Sequence, residues 1–233
     1  MEGAEGAAGS DGSVAPRIRD LPPPRENPSV AAPLIRTVFA WPYRFVLAGI
    51  LRAGFRAWHL TLMSLAANVI VGVLLLSDRR LLPGLLLLPA GLLDIFDGAV
   101  ARHRGEESRK GALLDSVIDR ACDGIVFSCL FFSLAGQDRT VDAALALAAM
   151  MVSLLVSHLR AEGEALGLRM SKGVFQRLER YMALVIGLIV PGGLRPALAI
   201  LTGLGALTAL QRMAGAWRRI GDPPASSAAS GDA

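Results

Sequence analysis

The chain has 233 residues, a formal net charge of +4, 53% hydrophobic residues and 19% charged residues. Soluble domains carry about 25% charged residues, so this composition excludes a typical soluble enzyme or a disordered chain and favours an integral membrane protein. Two cysteines are too few for a disulfide framework. In a chain this apolar, the basic charge indicates contact with anionic lipid and not with nucleic acid.

The chain divides into a membrane domain between two polar tails. Residues 1–33 are rich in Gly, Ala, Ser and Pro without an apolar period, and residues 220–233 are similar, so we predict disordered cytoplasmic tails. The domain between them, residues 34–219, opens on residues 34–56, which combine aromatic side chains with four spaced arginines. This pattern is typical of an interfacial amphipathic helix, the alternative being a first transmembrane helix with charged flanks.

Six apolar segments follow, and each approaches the roughly 20 residues that a helix needs to cross a bilayer. They are too long and too continuously apolar for barrel strands, so we predict an all-α integral membrane fold with six transmembrane helices after the interfacial one. Most basic residues fall in the loops and tails on one side, which predicts a multi-pass cell-membrane protein with both termini cytoplasmic. The segments span residues 60–77, 81–101, 112–135, 141–161, 175–191 and 194–216.

Acidic residues interrupt the second and third segments. Asp94 and Asp97 are three positions apart, and Asp115 and Asp119 are four apart, so each pair shares one helix face. The short loop between the segments predicts antiparallel neighbouring helices whose four carboxylates converge near the cytoplasmic surface. A membrane carboxylate costs roughly 2.5–3.5 kcal/mol on insertion scales, which a bound cation offsets. Pairing with loop arginines is the alternative, and Asp123 fits that interpretation best.

The donor set of this cluster predicts the metal. Four carboxylates without histidine or cysteine favour Mg²⁺ or Mn²⁺ over Zn²⁺. Four are also enough for two ions, the arrangement that clamps phosphoryl oxygens.

The aspartates belong to a longer pattern with fixed spacing, which reads Asp94-x-x-Asp97-Gly98-x-x-Ala101-Arg102, eight residues, then Gly111-x-x-x-Asp115-x-x-x-Asp119. All eight fixed positions resemble the signature of the CDP-alcohol phosphotransferase family. The resemblance implies a membrane enzyme with six transmembrane helices, commonly a homodimer. Such an enzyme transfers a group from a CDP-linked donor to an alcohol and releases CMP.

The resemblance also implies roles for individual residues. The four aspartates would hold the metal ions, and Asp119 would be the general base that takes the proton from the acceptor hydroxyl. In this family the first span usually opens with Pro, then Asn or Asp, then Thr three residues further on, where this chain has Leu60, Thr61 and Ser64. The residues expected to contact the nucleotide are Ser64, Gly98, Ala101, Arg102 and Gly111.

Basic residues flank the place where the carboxylates should converge: Arg160, Lys172, Arg177, Arg180 and Arg212. A cationic pocket beside a metal site suits an acceptor that carries its own phosphate, although the positive-inside bias alone would also place basic residues here. The sequence around them, Arg-Ala-Glu at 160–162, Gln-Arg-Leu-Glu-Arg at 176–180 and Gln-Arg at 211–212, is similar to prokaryotic phosphatidylinositol phosphate synthases. That similarity implies CDP-diacylglycerol as donor and inositol phosphate as acceptor.

Two other functions remain open at this point. A phosphatidylglycerol phosphate synthase would use the same chemistry with glycerol 3-phosphate as acceptor. A divalent-cation transporter or a non-catalytic membrane scaffold would also explain intramembrane carboxylates. A transport path, however, places polar groups through the membrane midplane, whereas these carboxylates cluster at one end of their segments.

Overall fold

The computed structural model describes residues 32–77, 79–168 and 177–221, and within these ranges helices joined by short loops make up the regular secondary structure. This confirms the all-α prediction. Most of each predicted tail lies outside the described residues. The helices are α1 (Ala32–Arg52), α2 (Ala57–Leu76), α3 (Leu81–Arg104), α4 (Arg109–Ala135), α5 (Thr140–Ala165), α6 (Arg177–Ile189) and α7 (Leu194–Gly221).

Four helices are long and apolar enough to cross a membrane: α2, α3, α5 and α7. They support the prediction of a membrane protein. The helix α4 has 27 residues but carries charged side chains through its first half, and α6 has 13 residues. The described part of the chain therefore contains four candidate spans, and the six-span arrangement stays a prediction.

The main core lies among α2 to α7 and consists mainly of leucine, valine and alanine. Five of its residues, one each from α2, α3, α4, α5 and α7, are at most 1% exposed: Val71, Leu87, Leu130, Ala146 and Leu198. At the contact of α2 with α4, a Cβ added to Gly72 would lie 2.9 Å from Cγ2 of Ile125. A glycine at this point therefore lets the two helices approach closely.

The first helix packs against the part of α3 that carries the aspartates. Leu47 and Ala48 are buried in one cluster with Phe96 and Val100, and the ring of Tyr43 stacks on Phe96 with 5.1 Å between centroids. Other side chains of α1, Trp41 and Phe45 at 69% and 57%, are exposed. This two-sided character fits the predicted interfacial position of α1.

The two helices that carry the aspartates do not pack on each other, contrary to our expectation of direct neighbours. The helix α2 packs against both α3 and α4, whereas the backbones of α3 and α4 do not contact each other. Gly105, in the left-handed region with φ +64°, ends α3, and the Ser108 side chain caps α4. The chain thus reverses over a short loop, and aspartate side chains of the two helices approach one another.

Ionic contacts tie the helices together at the end of the bundle away from these aspartates. The carboxylate of Asp142, at the start of α5, is 0% exposed. It accepts hydrogen bonds from Arg139, at 2.7 Å to Nε, and from Arg195 at the start of α7. Nearby, Arg80 Nη2 donates to Gln137 Oε1 at 3.0 Å.

Candidate active site

Three of the predicted carboxylates converge at the second half of α3 and the start of α4. Asp94, Asp97 and Asp115 each offer one carboxylate oxygen, and these oxygens lie within 4.8 Å of one another. Asp97 is 5% exposed and the other two are half-buried. Like charges held this close in a partly buried setting repel, so an all-oxygen cluster of this kind fits a hard divalent cation such as Mg²⁺ or Mn²⁺.

The fourth predicted ligand, Asp119, lies one helical turn beyond Asp115 on the same face of α4 and is half-buried. Its charge and that of Asp115 both act on the Asp97 carboxylate. Among the described residues, the group within 4.8 Å consists of the other three aspartates. The roles predicted for Asp119, metal ligand and general base, stay predictions.

Thr61, to which the sequence analysis assigned no role, forms a hydrogen bond with one aspartate of the cluster. The hydroxyl of Thr61 donates to Oδ2 of Asp97 at 2.8 Å and also lies 3.1 Å from the carbonyl oxygen of Ala57. Groups behind the ligands orient the ligands and tune their affinity for the metal. Thr61, Ser64 and Asn68 are buried polar residues on a largely apolar helix, and that stripe is the signal by which Thr61 could have been found.

The structure brings three of the predicted nucleotide-contacting residues together on one turn of α3. Gly98 and Arg102 lie together beside Asp97, since a Cβ on Gly98 would be 3.3 Å from Nη1 of Arg102. Ala101, half-buried, lies on the same turn of α3.

The other two lie apart from that turn. Ser64 is buried between α2 and α3, where its hydroxyl donates to the Ala90 carbonyl oxygen at 3.1 Å. The N–H of Gly111 donates to the Ser108 side chain at 3.0 Å in the first turn of α4.

Two of the predicted basic residues meet on one turn of α5. Arg180, from α6, donates through Nη1 to both the hydroxyl and the carbonyl oxygen of Ser153. Arg212, from α7, donates through Nη1 to the Val156 carbonyl oxygen at 2.8 Å. The positive charges of Arg180 and Arg160 both act on the Arg212 guanidinium, so the three arginines form one cationic region.

The structure says less about the other three predicted basic residues. The Arg160 side chain is 62% exposed and pairs with Glu164 at 2.8 Å on its own helix. Lys172 lies outside the described residues, and Arg177 is described only as the first residue of α6.

Arg120 is a further cation near this turn of α5. It is not among the basic residues predicted to bind the acceptor phosphate. Its Nη1 donates to the carbonyl oxygen and the hydroxyl of Ser116, one turn earlier on α4. Its Nη2 lies 3.4 Å from the Ser157 carbonyl oxygen of α5. Arg120 thus joins α4 to the helix that Arg180 and Arg212 contact.

Pairing of Asp123 with the loop arginines would require it to lie at the loop, but it does not. It is half-buried on α4, and its Oδ2 accepts a 2.6 Å hydrogen bond from the hydroxyl of Ser153. Asp123, Ser153 and Arg180 line a cavity of about 20 Å³ among α4, α5, α6 and α7. The interpretation of Asp123 as a partner of loop arginines was therefore wrong, because the partner that positions it comes from α5.

Comparison with known proteins agrees with this arrangement. The family model for CDP-alcohol phosphatidyltransferases matches residues 55–211. A phosphatidylinositol phosphate synthase from Mycobacteroides abscessus is 34% identical over 188 residues, covering 77% of this chain and 86% of that protein. An archaetidylinositol phosphate synthase from Methanothermobacter thermautotrophicus is 36% identical over 150 residues, covering 62% of this chain and 74% of that protein.

Solved structures show the same likeness. The crystal structure of the Mycobacterium tuberculosis phosphatidylinositol phosphate synthase with CDP-DAG bound superposes with a TM-score of 0.67 at 29% identity, covering 74% of this chain and 92% of that one. The same enzyme in complex with manganese and citrate has a TM-score of 0.67, with 87% of that chain covered. Since the family model matches more than half of the chain, in a region that contains the aspartate cluster and Arg180, the chain belongs to the CDP-alcohol phosphatidyltransferase family.

Proposed function

We propose that this enzyme transfers the phosphatidyl group of CDP-diacylglycerol to inositol phosphate and releases CMP. The observation that carries the proposal is a cluster of three carboxylates within 4.8 Å, on the same helix bundle as a cationic region built by Arg180 and Arg212. The relatives named above as phosphatidylinositol phosphate synthases support the choice of donor and acceptor.

The aspartates fit the metal requirement of this reaction. Asp94, Asp97 and Asp115 would hold divalent cations, and we propose that Asp119 completes a site for two ions, either Mg²⁺ or Mn²⁺. When bound, such ions neutralise the negative charge of the diphosphate. Arg102, which lies against Gly98 beside the cluster, would bind the same diphosphate from α3.

The order of residues along α4 supports Asp119 as the proposed general base. Asp115, Asp119 and Asp123 follow one another at intervals of four residues, so each step is about 6 Å along the helix axis. Asp115 belongs to the metal cluster, and Asp123 contacts the Ser153 hydroxyl that Arg180 also binds. An acceptor hydroxyl at Asp119 would therefore lie between the donor diphosphate and the arginines, where Asp119 can take its proton.

The arginines over α5 are the groups suited to the acceptor phosphate. Arg180 and Arg212 approach the same turn of α5, and the charge of Arg160 adds to theirs. Several guanidinium groups that converge bind a phosphate monoester strongly, because each offers charged N–H donors in a planar fork. Free inositol and serine lack this phosphate, so they should be poor acceptors.

The membrane arrangement is part of the proposal. We propose that α2 to α7 are the six transmembrane helices, that α1 lies in the interface, and that both termini and the active site face the cytoplasm. In α4 the half-buried Asp115 and Asp119 would then face the site. A homodimer is proposed from the family resemblance. In vesicles of known orientation, soluble inositol phosphate added outside should support turnover only when the cytoplasmic side faces outward.

The acceptor assay tests the proposed reaction. Purified protein in nanodiscs with CDP-diacylglycerol and Mn²⁺ receives one acceptor at a time: inositol phosphate, glycerol 3-phosphate, free inositol or serine. CMP release with inositol phosphate alone is the expected result. Release with glycerol 3-phosphate instead would identify a phosphatidylglycerol phosphate synthase. Uptake of Mn²⁺ into proteoliposomes without CMP release would instead indicate a transporter.

A further inference from the structure

Building on the proposed acceptor site, we propose that Asp123 and Ser153 are positioning residues that aim the Arg180 guanidinium at the acceptor phosphate. Neither residue belongs to the signature that binds donor and metal, and the proposal concerns what holds Arg180 in place.

The contacts form a short chain of charges and dipoles. Ser153 Oγ donates to Oδ2 of Asp123 at 2.6 Å and accepts from Nη1 of Arg180. A serine hydroxyl has one proton, so donating it to the carboxylate turns the oxygen lone pairs towards the guanidinium. The Asp123 charge thereby stabilises the Arg180 charge through one intervening hydroxyl, and the three groups adopt one orientation together.

Backbone packing alone does not set the position of this guanidinium. The described part of α6 packs on α3 and α7 and has no backbone packing with α5. The long Arg180 side chain therefore crosses the space to α5 by itself, and an arginine has many rotamers to lose on being fixed. Hydrogen bonds at its far end, to the Ser153 hydroxyl and carbonyl oxygen, hold it in one of them.

The setting makes these contacts strong. Asp123 and Ser153 line the small cavity together with Phe127, Leu184 and other apolar side chains. In such surroundings a charge-assisted hydrogen bond is stronger than at a water-exposed surface, and an unmatched charge is costlier. Loss of either partner should therefore move Arg180 without touching the donor site.

Kinetics of Ser153→Ala and Asp123→Asn test the proposal, using the full-length protein in nanodiscs. Each should raise KM for inositol phosphate by roughly 10-fold, the effect of losing one hydrogen bond to a charged group. The KM for CDP-diacylglycerol and the Mn²⁺ activation constant should stay at the wild-type values. Ser153→Thr, which keeps the hydroxyl, should restore most of the acceptor affinity. Ser128→Ala is the matched control, because Ser128 also joins α4 to α5, through a 3.5 Å contact with Met150 Sδ.

A double variant separates positioning from general stability. If Ser153 acts through Arg180, then Ser153→Ala combined with Arg180→Ala should have the same acceptor KM as Arg180→Ala alone. Additive effects of the two changes would overturn the proposal. Equal increases in KM for both substrates in Ser153→Ala and Asp123→Asn would also overturn it, since they would indicate a structural role.

Arg180→Ala distinguishes failure of this inference from failure of the proposed function. An unchanged acceptor KM in Arg180→Ala would overturn both the proposed acceptor site and the positioning role. A raised KM in Arg180→Ala, with wild-type values in Ser153→Ala and Asp123→Asn, would keep the pocket and overturn only the positioning role.

Discussion

The hydroxyl of Thr61 donates a 2.8 Å hydrogen bond to Oδ2 of Asp97, and both side chains are buried. This contact joins α2 to the carboxylate cluster, although α2 itself contributes no carboxylate to it. The bond restricts rotation of the Asp97 carboxylate, so that its direction towards Asp94 and Asp115 is set before any cation arrives. Preorganisation of this kind lowers the cost of assembling a metal site.

Replacement of Thr61 by valine should weaken metal binding. Valine has the same shape but no hydroxyl, so Asp97 loses its 2.8 Å donor and gains rotational freedom. Loss of a hydrogen bond behind a ligand costs roughly 10- to 100-fold in metal affinity. The Mn²⁺ concentration for half-maximal CMP release should rise accordingly, and Thr61→Ser should restore it.

Thr208→Val is the matched control for that measurement. Thr208 is fully buried in α7, and its hydroxyl donates to the Leu204 carbonyl oxygen of its own helix at 2.8 Å. The change removes a similar hydroxyl without involving an aspartate. Equal effects of the two valine variants on the Mn²⁺ requirement would contradict the role of Thr61.

Asp119→Asn should abolish turnover while preserving the fold. Asparagine is similar in size but cannot accept the proton of the acceptor hydroxyl, and a general base contributes about 10²- to 10⁴-fold to a rate. CMP release should fall by at least roughly 100-fold. Turnover near the wild-type rate would exclude Asp119 as the base.

Chelation should stop the reaction and lower thermal stability. Without cations the carboxylates of Asp94, Asp97 and Asp115 repel one another. A ligand at a hundredfold excess over its Kd stabilises the folded state by about 2.7 kcal/mol, so Mn²⁺ added after EDTA should restore CMP release and raise Tm. Asp142→Asn, at the far end of the bundle, should keep that increase in Tm, and Asp115→Asn should lose most of it.

Gly91→Ala should destabilise the bundle near the site. A Cβ at position 91 would lie 2.6 Å from Cε1 and 2.7 Å from Cδ1 of Tyr181. The Tyr181 hydroxyl donates to Oδ1 of Asn68 at 2.6 Å, so the ring cannot move away without breaking that bond. Overpacking of this kind costs about 1–3 kcal/mol, measurable as a lower Tm in detergent.

Gly203→Ala provides the comparison for Gly91. A Cβ at Gly203 meets no atom within 4 Å, and alanine favours a helix over glycine by up to about 1 kcal/mol. Gly203→Ala should therefore leave Tm unchanged or slightly higher. A wild-type Tm for Gly91→Ala would show that Tyr181 does not lie against α3.

The sequence was sufficient for the features that depend on spacing within one helix. Apolar runs predicted the helices, and intervals of three and four residues placed Asp94 with Asp97 and Asp115 with Asp119 on shared faces. The convergence of three of these carboxylates follows from the short loop between α3 and α4.

Features that depend on how helices rotate against one another were not predictable in the same way. The contact of Thr61 with Asp97 requires α2 to turn its polar stripe towards α3. The position of Asp123 depends on Ser153, 30 residues away on α5. Neither the period of α2 nor the local sequence around Asp123 contains that information, because it arises only when the helices pack.

The ionic contacts of Asp142 hold the far end of the bundle together, whereas the carboxylates and arginines of the proposed reaction gather towards the opposite end. A phosphatidyltransferase open at one end would take its lipid donor from one leaflet and return the product to that leaflet. Each turnover would then exchange one headgroup for another and leave the number of lipid molecules there unchanged. Delivery of the product to the opposite leaflet would need a separate lipid-translocating protein.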